Sequence, residues 1–244
     1  MPDYSYIGSG KIYLREVGAA APLAEIGNVS KLDFGVSEDV KELKDHTQPG
    51  GGTMNEVRRI GAVEVSMTLH DLSAENLARA LYGSAEAITA GAIADEAHVA
   101  YPGGLIRLAK PASAIAAVTN AAGTVTYDAG TDYELRAGGL FIPATSDIAA
   151  AAAILVDYTA VSADLVQALV SSGKEYELAF AGLNEARSGK AADVDAHRVR
   201  LGALASLSLI GDDFAGLEVK GKLLKDTTKT GVGVSQYFTV RLAR

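Results

Sequence analysis

The chain has no cysteine and no tryptophan in its 244 residues. Without cysteine there is no disulfide framework, no thiolate nucleophile and no cysteine metal site. Without tryptophan, and with aromatics at 6 %, a carbohydrate- or ligand-stacking cleft lacks its usual walls. Proline is scarce too, six against 26 glycines, so most chain reversals must rest on glycine. No apolar run approaches membrane-spanning length; the longest alanine-rich stretch, 148–156, stops at Asp157. The opening residues Met1-Pro2-Asp3-Tyr4-Ser5-Tyr6-Ile7 have neither the basic flank nor the apolar centre of a signal peptide, so synthesis in a cytoplasm and no membrane association are expected. Basic charge is in deficit, 22 Lys and Arg against 30 Asp and Glu, a formal charge of −8. That balance argues against a sequence-reading nucleic-acid binder. It suits a surface over which DNA passes without adhering, because like charge repels the phosphate backbone.

What is present is apolar residue in quantity, 48 %, enough to bury a sizeable core. Its dominant period is two. Val63, Val65, Met67 and Leu69 alternate with Glu64, Ser66, Thr68 and His70; Leu217, Val219, Gly221 and Leu223 alternate with Glu218, Lys220 and Lys222. Such alternation predicts strands with one buried and one wet face. The pattern returns at 234–242, and further strands are expected at 10–17, 23–35, 104–109, 124–127, 133–136, 139–143, 154–159 and 175–181. Segment 194–210 fits neither period well and is read as strand. One helix is expected at about 74–82. Ser73 is placed to cap it, Glu75 sits in the first turn, Leu72 and Leu77 form a hydrophobic staple and Gly83 ends it. The protein is therefore mainly β. Residues 96–162, rich in alanine, glycine and threonine with closely spaced turn signals, read as a small antiparallel insertion.

Between two of these strands lies 41–59, Lys-Glu-Leu-Lys-Asp-His-Thr-Gln-Pro-Gly-Gly-Gly-Thr-Met-Asn-Glu-Val-Arg-Arg. It is polar, tipped by Pro49 and three glycines, and charged with both signs. It reads as a long loop with too little to bury to hold itself, and loops of this length are usually functional or disordered.

No constellation for catalysis emerges. His46, His70, His98 and His197 are far apart and have no metal-type partner at i+4; His70 with Asp71 and Glu75 reads as the polar entry to a helix cap rather than a metal site. Gly182 to Gly189-Lys190 has six intervening residues where a P-loop has four, and Ala191 stands where a magnesium-binding hydroxyl belongs. Asn28-Val29-Ser30 is a glycosylation sequon without a secretory signal. The chain is expected to be neither an enzyme nor a cofactor or metal binder.

Several segments resemble major tail tube proteins of long-tailed bacteriophages, of the siphophage type. They are Glu38-Asp39-Val40 through the Pro49-Gly50-Gly51-Gly52 tip to Arg58-Arg59-Ile60; Val63 to Asp71; Ser73 to Gly83; Phe180-Ala181-Gly182-Leu183-Asn184-Glu185-Ala186 with Ser188-Gly189-Lys190; Leu209-Ile210-Gly211-Asp212-Asp213-Phe214; and Gly221-Lys222-Leu223-Leu224-Lys225-Asp226. With the C-terminal strand they cover roughly two-thirds of the chain. The resemblance implies two packed antiparallel sheets, a sandwich or partial barrel, with one flanking helix, a long β-hairpin loop and a small β insertion. The core would then be 1–95 with 163–244, and the insertion 96–162. It implies a homohexameric ring, rings stacked into the tail tube of a virion, and DNA ejected through the lumen without sequence-specific binding. The implied partners are other copies of the chain, a tape measure protein, a tail terminator and distal tail or baseplate proteins. On this view Lys44, Asp45, His46, Gln48, Pro49, Gly50, Gly51, Gly52, Asn55, Arg58 and Arg59 form a loop contacting a neighbouring subunit or ring. Glu64, Ser66, Thr68, Glu218 and Lys220 become candidates for a net-negative lumen wall.

Two other readings are carried beside it. One is the tube subunit of a contractile injection or type VI-like secretion system; the other, of a different class, is a ligand-binding β module, which would want the aromatic cleft this composition withholds.

Overall fold

The period-two segments do form strands. The computed structural model describes residues 4–244, with β1 (Gly8–Glu16), β2 (Ala24–Glu25), β3 (Val29–Lys44), β4 (Thr53–Leu69), α1 (Ala74–Ala80), β5 (Ser84–Ile88), β6 (Gly91–Ala100), β7 (Leu105–Ile106), β8 (Ala112–Asn120), β9 (Glu134–Arg136), β10 (Gly139–Phe141), β11 (Ala152–Ala160), β12 (Ala163–Gln167), β13 (Glu175–Asn184), β14 (Lys190–Leu201), β15 (Leu217–Leu223) and β16 (Phe238–Leu242). They divide into two compact units, Met1–Ser84 with Val166–Arg244, and Ala85–Leu165. The second starts earlier than the expected 96, because β5 and the start of β6 are built of alanine, glycine and short polar residues that give no alternation of large side chains.

The first unit is organised by one antiparallel sheet of order β2-β1-β13-β14-β15-β4-β3, with β16 also on β14. Its two layers are wings of this one sheet. β14 pairs with β16 along 192–196 and with β15 along 199–201, so its two halves carry different neighbours and the sheet parts there. Ile12 and Leu14 of β1, Leu178 of β13, Val199 of β14, Val65 and Met67 of β4 and Leu217 of β15 then share a single core. Phe34 of β3 stacks on Phe238 of β16, ring centroids 5.2 Å apart, although these strands are not hydrogen-bonded neighbours. Wings that meet in this way bury the alternating apolar faces and leave the charged faces outward.

The helix packs Leu77 and Ala80 on this core, with Leu72 beside them. Ser73 caps it as expected, its hydroxyl accepting from the Asn76 amide at 3.2 Å. The termination differs from expectation. Tyr82, not Gly83, takes the left-handed conformation (φ 50°), and the Gly83 amide donates to the Ala78 carbonyl at 2.7 Å. Tyr82 is held there by its own hydroxyl, which donates to the Leu201 carbonyl at 2.7 Å. Gly83 is required for a different reason: a β-carbon there would lie 2.3 Å from the Gln167 carbonyl oxygen.

Four expected strands shrink. Segment 194–210 is ladder only to Leu201, and 104–109 only at Leu105–Ile106. Segment 124–127 contributes only an isolated bridge, Thr119 to Thr126. At 234–242 the strand begins at Phe238, because the Ser235 hydroxyl accepts from the amides of Tyr237 and Phe238 and diverts them into a local turn.

The second unit has its own core of Val118, Leu140, Ile142, Ile148, Ile154, Val156 and Tyr158. Its sheets are β6-β11-β8 and β7-β10-β9. Within it Glu96 accepts from the Tyr158 hydroxyl (2.6 Å) and the Ala109 amide (2.9 Å) and lies 2.7 Å from His98 Nε2. Burial of Glu96 pushes its pKa upward, but the Tyr158, Ala109 and His98 bonds together outweigh that and hold it below the usual value of 4.5. A depressed folded-state pKa means stability that is present above the unfolded value and lost as pH falls through the folded one. The second unit should therefore lose stability on acidification below about pH 4.5, and Glu96→Gln should flatten that dependence. Hydrogen exchange of β6 and β11 amides between about pH 6 and about pH 3 reads it; identical slopes in both proteins would refute the assignment.

Candidate functional site

The segment expected to be an unstructured loop is mostly strand. β3 and β4 stay paired out to Lys44 opposite Thr53, so only 45–52 lies outside the ladder. Sequence reasoning missed this because both strands here are wet on both faces and show no alternation of burial. The hairpin leaves the body at an irregularity between Val36 and Glu38, where the Ala62 amide donates to Ser37 Oγ at 2.8 Å. Such a bulge increases twist and bends the ribbon. Beyond it the arm runs roughly 30 Å at the ordinary rise per residue.

Register places Val40, Met54 and Ile60 on one face of the arm with Glu38, Glu42, Glu56 and Arg58. The opposite face carries Leu43 and Val57 with Asp39, Lys41, Asn55 and Arg59. The apolar side chains among them are large and exposed, from 44 % for Val40 to 65 % for Met54. An isolated two-stranded ribbon is marginally stable in water, and this one offers apolar surface on both sides.

The charges expected to reach another subunit are largely used within the arm. Arg58 pairs with Glu56 (2.7 Å) and Glu38 (3.3 Å). Lys44 pairs with Glu42 and donates to Thr53 Oγ1 at 3.0 Å. Asp45 accepts from the Thr47 hydroxyl (2.6 Å) and amide (2.8 Å), which hold its carboxyl below the usual range. The adjacent Lys44 ammonium does the same for Glu42. Exposed pairs like these contribute little stability but pre-arrange the ribbon. The side chains of His46, Gln48, Asn55 and Arg59 make no hydrogen bond among the described residues. At the tip, Pro49 precedes Gly50 (φ 92°) and Gly51 (φ 25°), and a β-carbon on Gly51 would lie 2.6 Å from the Asp45 carbonyl oxygen. Gly52 meets no such restriction.

The second group of expected residues does share one surface, the outer face of β15, β4 and β3. Arg200, Lys222, Glu64 and Gly35 form one cross-strand row; Lys220, Ser66 and Asp33 the next; Glu218, Thr68 and Lys31 the third. This face is not acidic, which corrects the expectation of a net-negative wall there. Its lysines pair with its acids, Lys31 with Asp33 (2.7 Å) and Lys220 with Glu218 (3.2 Å), and Arg200 and Lys222 lie across from the single Glu64. Strand pairing brought in Lys31, Lys222 and Arg200, which no local pattern joins to Glu64. The first two rows border a groove of about 490 Å³, also lined by Tyr82.

His70, considered above as the entry to the helix cap, stands between Ser30 Oγ (2.8 Å from Nε2) and the Ala215 carbonyl (3.3 Å from Nδ1), while Asp71 accepts from the Asn28 amide at 3.1 Å. No three His, Asp or Glu side chains gather as a metal site among the described residues, and none of their buried side-chain nitrogens or oxygens lacks a hydrogen-bond partner. No described helix is long and apolar enough to cross a membrane. The arm and the outer sheet face offer contact surface on which Arg58, Lys44 and Asp45 are already engaged within the arm, and His46, Gln48, Asn55 and Arg59 are not.

A family model described as "Protein of unknown function UCP028589" matches residues 5–241. No curated protein matches the chain.

Proposed function

The chain belongs to that family, and we propose that it is a structural subunit that assembles into hexameric rings stacked as the tail tube of a long-tailed bacteriophage. The observation that carries this reading is the β3–β4 arm. A ribbon roughly 30 Å long, with large apolar side chains exposed on both faces, is costly for a lone molecule to carry and is explained by a neighbour that covers it. The sheet adds support: β3 is an edge strand, and edges left open on a monomer are closed by pairing or covering in an assembly. In this reading the protein resides in the virion tail. Its partners are further copies of itself, with a tape measure protein inside the tube, a terminator at one end and distal tail proteins at the other.

DNA would pass through without sequence-specific contact. The wall has to be non-adhesive; on the outer sheet face Lys31 and Lys220 are neutralised by Asp33 and Glu218, whereas Arg200 and Lys222 share the one acid Glu64 and leave that face slightly cationic. The proposed role is mechanical, with no catalytic step. Concentrating the purified protein should yield rings and then tubes by negative-stain microscopy, with a matching rise in light scattering. A strictly monomeric species under all conditions, absent from virions, would overturn the proposal.

A further inference from the structure

The connection from β14 to β15 is fastened at its base and bare at its tip. The Gly202 amide donates to the Lys220 carbonyl and the Leu204 amide to the Ala80 carbonyl, both at 2.7 Å, and Leu204 and Leu207 pack against the core. Beyond them Leu209 is 77 %, Ile210 96 % and Phe214 97 % exposed. Ile210 and Phe214 therefore touch almost nothing in their own chain. Between them lie Asp212 and Asp213. Single exposed apolar residues are ordinary, but three within six residues on a fastened loop form a knob.

Elsewhere in the same unit is a groove of about 360 Å³ with the opposite character. Its apolar lining includes Tyr6, Phe180, Val240 and Leu242, and its charged lining residues are Arg187 and Lys190, with no acid among the described residues that line it. The groove is built rather than incidental. Asn184, buried, accepts from the Ile7 amide (3.2 Å) and donates to the Ser5 carbonyl (3.0 Å), fixing the N-terminal segment as one wall. The Arg187 guanidinium lies 5.3 Å from the centre of the Tyr4 ring. One side is bounded by β16, which among the described residues pairs with β14 alone.

We propose that the acidic-apolar knob of one copy seats in the cationic-apolar groove of a second copy. Ile210 and Phe214 would fill the apolar floor, and Asp212 and Asp213 would meet Arg187 and Lys190 at the rim. Charge selects this loop over two others with exposed apolar residues: the Val232 loop carries Lys225 and Lys229 against the single Asp226, and the Leu169–Val170 turn is followed by Lys174, both with the sign of the rim in excess. Knob and groove are different surfaces, so the contact is head-to-tail and propagates until it closes a ring or winds a filament. The inference rests on the reading that copies of this chain associate, and adds which surfaces meet.

The absence of native cysteine permits a clean test. Full-length Gly211→Cys and Ala243→Cys proteins, which keep Ile210, Phe214 and the apolar groove floor, are mixed, concentrated and oxidised. Cross-linked pairs should form in the mixture and not in either protein alone. Phe214→Ser should weaken self-association about 30-fold, the effect of losing a central aromatic anchor. Asp212→Lys with Asp213→Lys should weaken it too, and adding Arg187→Glu with Lys190→Glu in the same chain should restore it. Assemblies that form without the cross-link, or that ignore the charge swap, overturn this contact and leave the tube reading standing. A chain that stays monomeric throughout overturns both.

Discussion

Excising 41–57 and joining Val40 to Arg58 through an Asn-Gly turn should leave the monomer folded and abolish polymerisation. Val40 and Arg58 are cross-strand partners, so a two-residue turn of the type that suits strand twist closes the shortened hairpin without disturbing the ladder below it. None of the removed side chains belongs to the core, whose β4 members begin at Val63. Thermal unfolding of the variant should match the parent, since a deletion confined to exposed ribbon removes only marginal structure. Assembly should fail completely, because the proposal makes this ribbon the piece that neighbours cover. Removing the tip alone is a weaker test, since the exposed apolar residues sit on the paired shafts. Circular dichroism verifies the fold, and light scattering with microscopy reads assembly. Tubes formed at the parent's concentration would remove the arm from the assembly role.

The other large effect lies in the second unit. Ala85–Leu165 produced alone should fold cooperatively, since its core is its own. Tyr158→Ala should unfold it. That ring is 1 % exposed, and its hydroxyl bridges Glu96 and the Lys110 amide. Truncating a buried aromatic costs about 3–5 kcal/mol, a large part of the roughly 5–15 kcal/mol that stabilises a domain. In the full chain the same substitution should melt β6, β8 and β11 and leave β1, β13 and β14 protected in hydrogen exchange. Loss of protection in all of them together would show that the two units unfold as one.

Much of this was legible along the chain. The strand 63–69 and the strand 217–223 follow from alternation, and the structure pairs them directly, Met67 opposite Val219. The helix follows from Ser73, Glu75 and the leucine staple, which are local signals with local physics. Failures came where a local competitor or a distant partner intervened. Ser235 turns two amides away from the C-terminal ladder. The arm is ladder although its sequence lacks a buried face, because pairing satisfies its backbone even where side chains remain wet. The Glu96 site was invisible as a motif, since Tyr158 lies 62 positions away.

Sequence alone thus determined the β class, the wet and dry faces of the main strands, the capped helix and the absence of cysteine chemistry, each of which depends on composition or on neighbours a few residues apart. Tertiary structure alone decided the charge of the outer sheet face, the internal pairing of Arg58, Lys44 and Asp45, and the separation of a bare acidic knob from a cationic groove. Those properties depend on strand register and on surfaces assembled from segments far apart in the chain. A one-residue slip in pairing would have put different side chains side by side.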